Sequence, residues 1–398
     1  MPFEIEAHDG SARAGVLRTP HGEVRTPAFV PLATTGTVKT LSASEVAGLG
    51  YEMVLGNTFH LLIQPGVEHV RDMGGLHEFM GWRRPIITDS GGYQVFSMGH
   101  GSVAEEIKRR RRPLRAAERS SGSGGSLMLS IDEDGVRFRS YLDGRERFMG
   151  PETSMEAQAL LGSDVALAFD ECTPFHAERG YTLRSMRRTH RWLDRCLAWH
   201  AERAPEGQLL YGIVQGGVHE DLRAESSAYV AAAPVDGVAI GGSLGRDKEQ
   251  MAEVVGWAVR GLPEGRPRHL LGIGDVDDIV RAVAMGLDSF DCATPTRLAR
   301  HGTALVPDPA RRWRLDLERS ASRASREPIA ERCPCPACRE HTRAYLHYLL
   351  RAGEVTGMRL VTLHNLTFMA ELMRGLRSAI VAGDYAAHAR RVLAGEAP

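Results

Sequence analysis

Val165-Ala-Leu-Ala-Phe-Asp170 and Leu209-Leu-Tyr-Gly-Ile-Val-Gln215 decide how the rest of the chain is read. Each is a continuous apolar, β-prone run that stops abruptly at a polar residue and gives way to amphipathic sequence. A strand with one face in water alternates, whereas an unbroken run belongs to a strand buried on both faces, hence to a parallel sheet. The pattern recurs in Met53-Val-Leu-Gly-Asn57, Pro85-Ile-Ile-Thr-Asp89, Val238-Ala-Ile-Gly-Gly242, His269-Leu-Leu-Gly-Ile-Gly274 and Asp288-Ser-Phe-Asp291. Helices fit between the runs. One is predicted from Tyr181 to Ala204, with Leu183, Met186, Trp192, Leu193, Cys196 and Leu197 on one stripe, and another from Lys248 to Leu262. The number of such units, with no Gly-x-Gly-x-x-Gly after the first strand, favours a (β/α)8 TIM barrel over an open doubly wound sheet. In a barrel the polar residues ending the runs converge on one mouth, where catalytic groups sit.

The chain has 398 residues, which suits one large barrel carrying an insertion. Its 43% hydrophobic and 25% charged content excludes the disordered class. With 49 basic against 50 acidic residues there is no global positive field, so any nucleic-acid binding must rest on local patches. The first residues are acidic and lack an apolar leader core, and no run approaches membrane-spanning length. A cytoplasmic protein is therefore expected. Two segments break the rhythm. Residues 99–125 hold a basic run and a Gly/Ser stretch and read as a solvated loop, and residues 307–364 form an arginine-rich approach to a cysteine cluster.

That cluster is Cys333-Pro-Cys335-Pro-Ala-Cys338, with His364 following 26 residues after Cys338. Three thiolates and an imidazole suit tetrahedral Zn²⁺ and would leave no open position, so the metal would be structural. His341 and His347 are alternative fourth ligands. Cys172, Cys196 and Cys292 are isolated, a poor basis for a disulfide framework.

Asp89, Asp170 and Asp291 each end an apolar run, which places all three at strand C-termini. Each alone has a bland use, as a turn former, a helix cap or a buried acceptor. Three at one mouth repel one another and need a purpose. Paired carboxylates are the usual equipment for breaking glycosidic bonds. Gln215 and the Gly241-Gly242 backbone add neutral hydrogen-bonding groups suited to an amide-like heterocycle, and Tyr93 offers a stacking face. The expectation is that residues 89 and 291 face one cavity.

The chain also resembles the tRNA-guanine transglycosylases of the bacterial type. The resemblance rests on Thr88-Asp-Ser-Gly-Gly-Tyr-Gln-Val-Phe-Ser97, Phe169-Asp-Glu-Cys-Thr-Pro174, Gly212-Ile-Val-Gln-Gly216 and Ala239-Ile-Gly-Gly242. It continues in Phe290-Asp-Cys292, Pro295-Thr-Arg297, the cysteine knuckle and Leu363-His-Asn-Leu366. These motifs occur in the family's order along nearly the whole chain. The resemblance implies a single barrel over residues 1–398 with a zinc subdomain, here 309–365. It also implies a pentosyltransferase of the queuosine pathway that exchanges guanine at the tRNA anticodon wobble position for a 7-deazaguanine, and a homodimer. By matching motif, Asp291 is the nucleophile and Asp89 the proton donor and acceptor. Ser90, Gly91, Gly92, Tyr93, Asp170, Gln215, Gly241 and Gly242 surround the base. Gly272-Ile273-Gly274-Asp275-Val276-Asp277-Asp278 and Thr296-Arg297-Leu298-Ala299-Arg300 contact RNA, and Cys333, Cys335, Cys338 and His364 hold one Zn²⁺. The chain departs from the family's pattern after Gly242, where Arg246 stands in place of the usual Glu, and at Leu271, where methionine is common. A retaining glycoside hydrolase on the same barrel and a non-catalytic tRNA-binding relative are the alternatives.

Overall fold

The structure is a computed structural model describing residues 2–99 and 128–396. The basic run at 108–112 and the Gly/Ser stretch at 120–126 lie outside the described residues. An antiparallel sheet opens the chain with β1 (Phe3–Asp9), β2 (Ala12–Thr19) and β3 (Gly22–Thr26). Next come β4 (Ala28–Val30), β5 (Leu32–Ala33), β6 (Val54–Gly56) and β7 (Ile86–Thr88). A second antiparallel sheet follows, of β8 (Met128–Ile131), β9 (Val136–Arg139) and β10 (Glu146–Met149). The remaining long-range strands are β11 (Val165–Leu167), β12 (Leu209–Val214), β13 (Gly237–Ile240), β14 (Arg268–Leu270) and β15 (Ser289–Asp291).

Nine strands form one sheet in the order β4-β15-β14-β13-β12-β11-β7-β6-β5. Its two outermost members, β4 and β5, flank Pro31, whose missing N–H interrupts a ladder. The sheet thus begins and ends on one extended segment, and the fold is the (β/α)8 barrel. Every residue of β7, β11, β12, β13 and β15 is buried, which is why these strands read as unbroken apolar runs.

The chain divides into two compact units, 57–76 with 87–266, and 1–56 with 77–86 and 267–398. In the first, β11, β12 and β13 alternate with helices Pro151–Leu161, Arg179–Arg203, Glu220–Ala232 and Lys248–Val259. Gln158, fully buried in the first of these helices, accepts from Thr88 Oγ1 and Leu167 N and donates to Leu167 O, each at 2.9 Å. It secures the ends of β7 and β11, from which Asp89 and Asp170 depart. The Arg179–Arg203 helix matches the predicted one, but its buried face differs. Met186, Trp192, Leu193 and Cys196 are buried and Leu183 and Leu197 only partly so, while Thr182, Ser185, Thr189 and His190 are buried beside them. The polar positions have work there. Thr189 Oγ1 accepts from Glu171 N at 3.1 Å and Ser185 Oγ donates to Glu171 O at 3.3 Å, pinning the loop after β11.

In the second unit β15 carries an acid at each end. Asp288, just before its first residue, lies against fully buried Arg13, with Nε–Oδ1 2.8 Å and Nη2–Oδ2 2.5 Å. That charge is neutralised in the core. Asp291 ends the strand and has no such cation. Beyond it, β16 (Thr303–Leu305) and β17 (Arg314–Asp316) lead to the cysteine cluster and the long helix Val355–Ala382.

Candidate active site and metal centre

In the unit built on β11 to β13, Asp170 and Gln215 form a buried acceptor pair. Asp170 is 5% exposed and Gln215 2%. Asp170 Oδ1 accepts from Ser90 Oγ at 2.9 Å and Oδ2 from Gln215 Nε2 at 2.6 Å. Burial pushes the Asp170 carboxyl up to about 6, against these two hydrogen bonds. Gln215 Oε1 is buried with no hydrogen-bond partner. A buried orphan acceptor costs about 1–3 kcal/mol, so the pair is poised for a ligand presenting N–H groups.

Glycines let the backbone close around this pair. A Cβ on Gly92 would lie 2.5 Å from Asp170 O, and one on Gly242, at φ +78°, would lie 2.2 Å from Gln215 Oε1. Gly92 starts the helix Gly92–Gly99, and half-buried Tyr93 is on its first turn. Gly91, at φ +79°, passes under Met149. Ser90, among the residues expected around the base, donates its hydroxyl to Asp170 and accepts from Gly92 N at 3.2 Å. Gly241 N donates to Val214 O at 3.1 Å, so its N–H is used within the sheet, and the Gly242 N–H faces the Cys172 sulfur.

Arg223, which no sequence motif singles out, underlies both strand ends. Fully buried, it donates to the carbonyls of Gly217 (2.8 Å), Val214 (3.1 Å), Gly241 (2.9 Å) and Ser243 (3.0 Å). One guanidinium fork thereby fixes the segments carrying Gln215 and Gly242. Arg246 points elsewhere: it is exposed and pairs with its neighbour Asp247 at 3.2 Å.

Asp89 leaves β7 into a cradle of donors. Asn57 donates to Oδ2, Thr58 N to Oδ1 at 2.9 Å, and Gln94 Nε2 to Oδ2 at 3.2 Å. Thr58 Oγ1 also donates to the Asp89 carbonyl at 2.5 Å. The signal for Asn57 was present, since it ends an apolar run as the acids do.

In the other unit Asp291 is 7% exposed. Its Oδ1 meets His269 Nε2 and Gly272 N, both at 3.1 Å, and Oδ2 has no hydrogen-bond partner among the described residues. Only one of the two carboxylate oxygens is anchored.

The two expected RNA segments are only partly available. Gly274, Val276, Asp278, Thr296 and Ala299 are buried, whereas Gly272 is exposed and Ile273, Asp275, Asp277, Arg297, Leu298 and Arg300 are partly so. Asp275 is paired with Arg314 at 3.0 Å. Arg297 and Arg300 have no carboxylate partner among the described residues, in a chain where most arginines are paired. Burial and the neighbouring Arg297 lower the Arg300 pKa.

Cys333, Cys335, Cys338 and His364 place their ligand atoms within 4.8 Å of one another and could hold a metal ion. His364 Nδ1 is 3.5, 3.6 and 3.2 Å from the three sulfurs in chain order. His364 Nε2 donates to Leu305 O at 2.7 Å, which fixes the tautomer and leaves the Nδ1 lone pair for a cation. Hydrogen bonds in which the Cys335 thiol donates to the Cys333 and Cys338 sulfurs, together with burial, push that thiol far up, a crowding that a cation would reverse. His347 instead pairs with Leu317 O and His341 makes a tilted ring contact with Tyr345, so neither joins the group. Next to His364, Asn365 accepts from Leu305 N at 2.7 Å and donates to Pro295 O at 2.9 Å and Thr303 O at 3.0 Å. The metal-ligand helix is thus tied to the Thr294–Arg300 helix carrying Arg297 and Arg300.

Fold and side chains together show a (β/α)8 barrel with buried carboxylates at its strand ends and a Cys3His group that could hold a metal ion. The family model described as queuine tRNA-ribosyltransferase matches residues 9–397. A queuine tRNA-ribosyltransferase of Roseiflexus sp. (strain RS-1) is 48% identical over 397 residues, covering 97% of each chain. That of Pelotomaculum thermopropionicum is 45% identical over 96% of this chain and 95% of its own. That of Thiobacillus denitrificans is 44% identical over 100% of this chain and 99% of its own. The chain belongs to the queuine tRNA-ribosyltransferase family.

Proposed function

We propose that the protein is a tRNA-guanine transglycosylase, exchanging guanine at the anticodon wobble position for a 7-deazaguanine through a covalent enzyme–RNA intermediate. The Asp170–Gln215 pair carries this reading. A buried carboxylate and an orphan amide oxygen complement the ring N–H and exocyclic amine of guanine. Tyr93 stacks on the base, and Gly91, Gly92, Gly241 and Gly242 let the backbone approach it. The buried tryptophans agree. Trp82, Trp192 and Trp313 are core residues, not a sugar platform.

Asp291 Oδ2 attacks the ribose anomeric carbon, forming a C–O bond as the bond to guanine N9 breaks. Asp89 supplies the proton that the departing base takes. The incoming base then gives Asp89 its ring proton, its nitrogen bonds the anomeric carbon, and the ester electrons return to Asp291. Two inversions preserve configuration. Taking the base out of its stack costs least in a single-stranded loop, which favours an anticodon loop as substrate.

Arg297 and Arg300, lacking carboxylates, bind phosphates beside the exposed backbone of Gly272. Zn²⁺ held by the Cys3His group, within a subdomain at 309–365, holds that helix in place and takes no part in the exchange. Exposed Tyr345, Tyr348 and Val355 support a homodimer. Among the described residues no helix is long and apolar enough to cross a membrane, and the cytoplasm is the compartment we assign.

Radiolabelled guanine incubated with unmodified tRNA should enter the RNA with the wild-type protein and not with Asp291→Ala. No incorporation by wild type refutes the assignment.

A further inference from the structure

One hydrogen-bond chain at the end of β14 and β15 goes beyond the exchange reaction. Ser289 Oγ lies 2.8 Å from His269 Nδ1, and His269 Nε2 lies 3.1 Å from Asp291 Oδ1. An ionised carboxylate can only accept, so Nε2 carries the proton and Nδ1 accepts from the Ser289 hydroxyl. His269 is 0% exposed, so no bulk water competes for either nitrogen.

We propose that His269 is the positioning residue of the nucleophile, holding Oδ1 so that Oδ2 alone meets the ribose, and favouring return of the carboxylate in the second displacement. This rests on the reading that Asp291 attacks the anomeric carbon. The terminal torsion of an aspartate is soft, and the Gly272 N–H alone gives one fixed point. The imidazole adds a second, rigid one. In the first displacement Oδ2 bonds to carbon, the C–N9 bond breaks, and the charge Asp291 loses passes through the departing base to Asp89 as that base takes its proton. Oδ1 becomes the ester carbonyl, a weaker acceptor. In the second, the incoming nitrogen bonds to carbon, the C–Oδ2 bond breaks and its electron pair returns to Asp291. The restored charge is shared with Oδ1, where His269 and Gly272 already point. Donors that prefer the carboxylate over the ester favour the exit from the intermediate. Removing His269 should therefore make the adduct outlast its normal lifetime.

The experiment uses the full-length protein and a tRNA carrying guanine at the target position. Adduct is trapped by denaturing quench without free base, and its decay is timed after guanine is added. For His269→Leu we expect adduct at or above the wild-type level and decay about 100-fold slower, the scale for losing one such donor. His269→Gln keeps an N–H donor of similar reach and should restore most of the rate. Ser289→Ala should slow decay less, by releasing the tautomer. It decides the matter if His269→Leu fails to fold. Wild-type decay rates in these variants, or parallel loss of adduct, turnover and thermal stability in His269→Leu with no rescue by His269→Gln, overturn the proposal. A wild-type protein that forms no adduct overturns the transglycosylase reading instead.

Discussion

Lowering the pH through about 6 should weaken base binding, because Asp170 must be charged to accept two N–H donors. Burial raises its carboxyl from 3.8 to about 6 against the hydrogen bonds of Ser90 and Gln215, with the nearby Glu171 charge adding to the rise. A rise of about two units costs about 3 kcal/mol for holding the charge in the empty pocket. The raised value means that the folded protein takes up this proton before the unfolded chain does. The penalty is fully present above about 6 and gone below about 4, so Asp170 favours folding more as the pH falls.

Binding behaves oppositely. A base donating two N–H groups stabilises the ionised carboxyl, so below about 6 each binding event expels a proton. Relative to pH 8, the KM for guanine should rise about twofold at pH 6 and about tenfold at pH 5. Asp170→Asn should remove this dependence and lose base affinity at every pH. At pH 8 it should be as stable as wild type or more so, by up to about 3 kcal/mol, because a buried charge is gone. The assay is the guanine KM at saturating tRNA from pH 5 to 8, with thermal midpoints of both proteins measured in the same buffers. A KM that stays flat down to pH 5 in folded enzyme, or Asp170→Asn with wild-type KM, refutes the reasoning.

Arg223→Met strands four buried carbonyls and should cost at least about 3 kcal/mol in urea unfolding, with Arg223→Lys recovering only part because an ammonium lacks the fork. Removing the metal with a chelator, or substituting Cys335→Ser, should abolish stoichiometric zinc by elemental analysis. Through the Asn365 bonds it should raise the tRNA KM more than the guanine KM. The double variant Arg297→Ala with Arg300→Ala should reduce the slope of log affinity against log salt by about two and leave the guanine KM unchanged.

The parts of this protein that could be read from sequence are those where one residue type reports one environment. Strands buried on both faces have no alternation to confuse, so the apolar runs marked the barrel strands and their last polar residues marked the strand ends. Cysteines two to three residues apart announce a ligand set in a line of text, and packing places His364 beside them, as the motif around it implied, and not His341 or His347. The antiparallel strands β1, β3 and β8 to β10 escaped because their mixed burial resembles loop sequence. What the sequence hid most completely is the layer behind the acids. Arg223 binds carbonyls, and carbonyls leave no trace in a sequence. His269 sits inside an apolar run, where a histidine reads as filler. Asn57 and Gln94 reach Asp89 from 32 residues before it and 5 after it. The carboxylates at the strand ends were legible because strands must end somewhere. The groups that aim them depend on which strand ends become neighbours, a property of the closed sheet and not of any one segment. Substitutions in that hidden layer should therefore change rates while every motif stays intact.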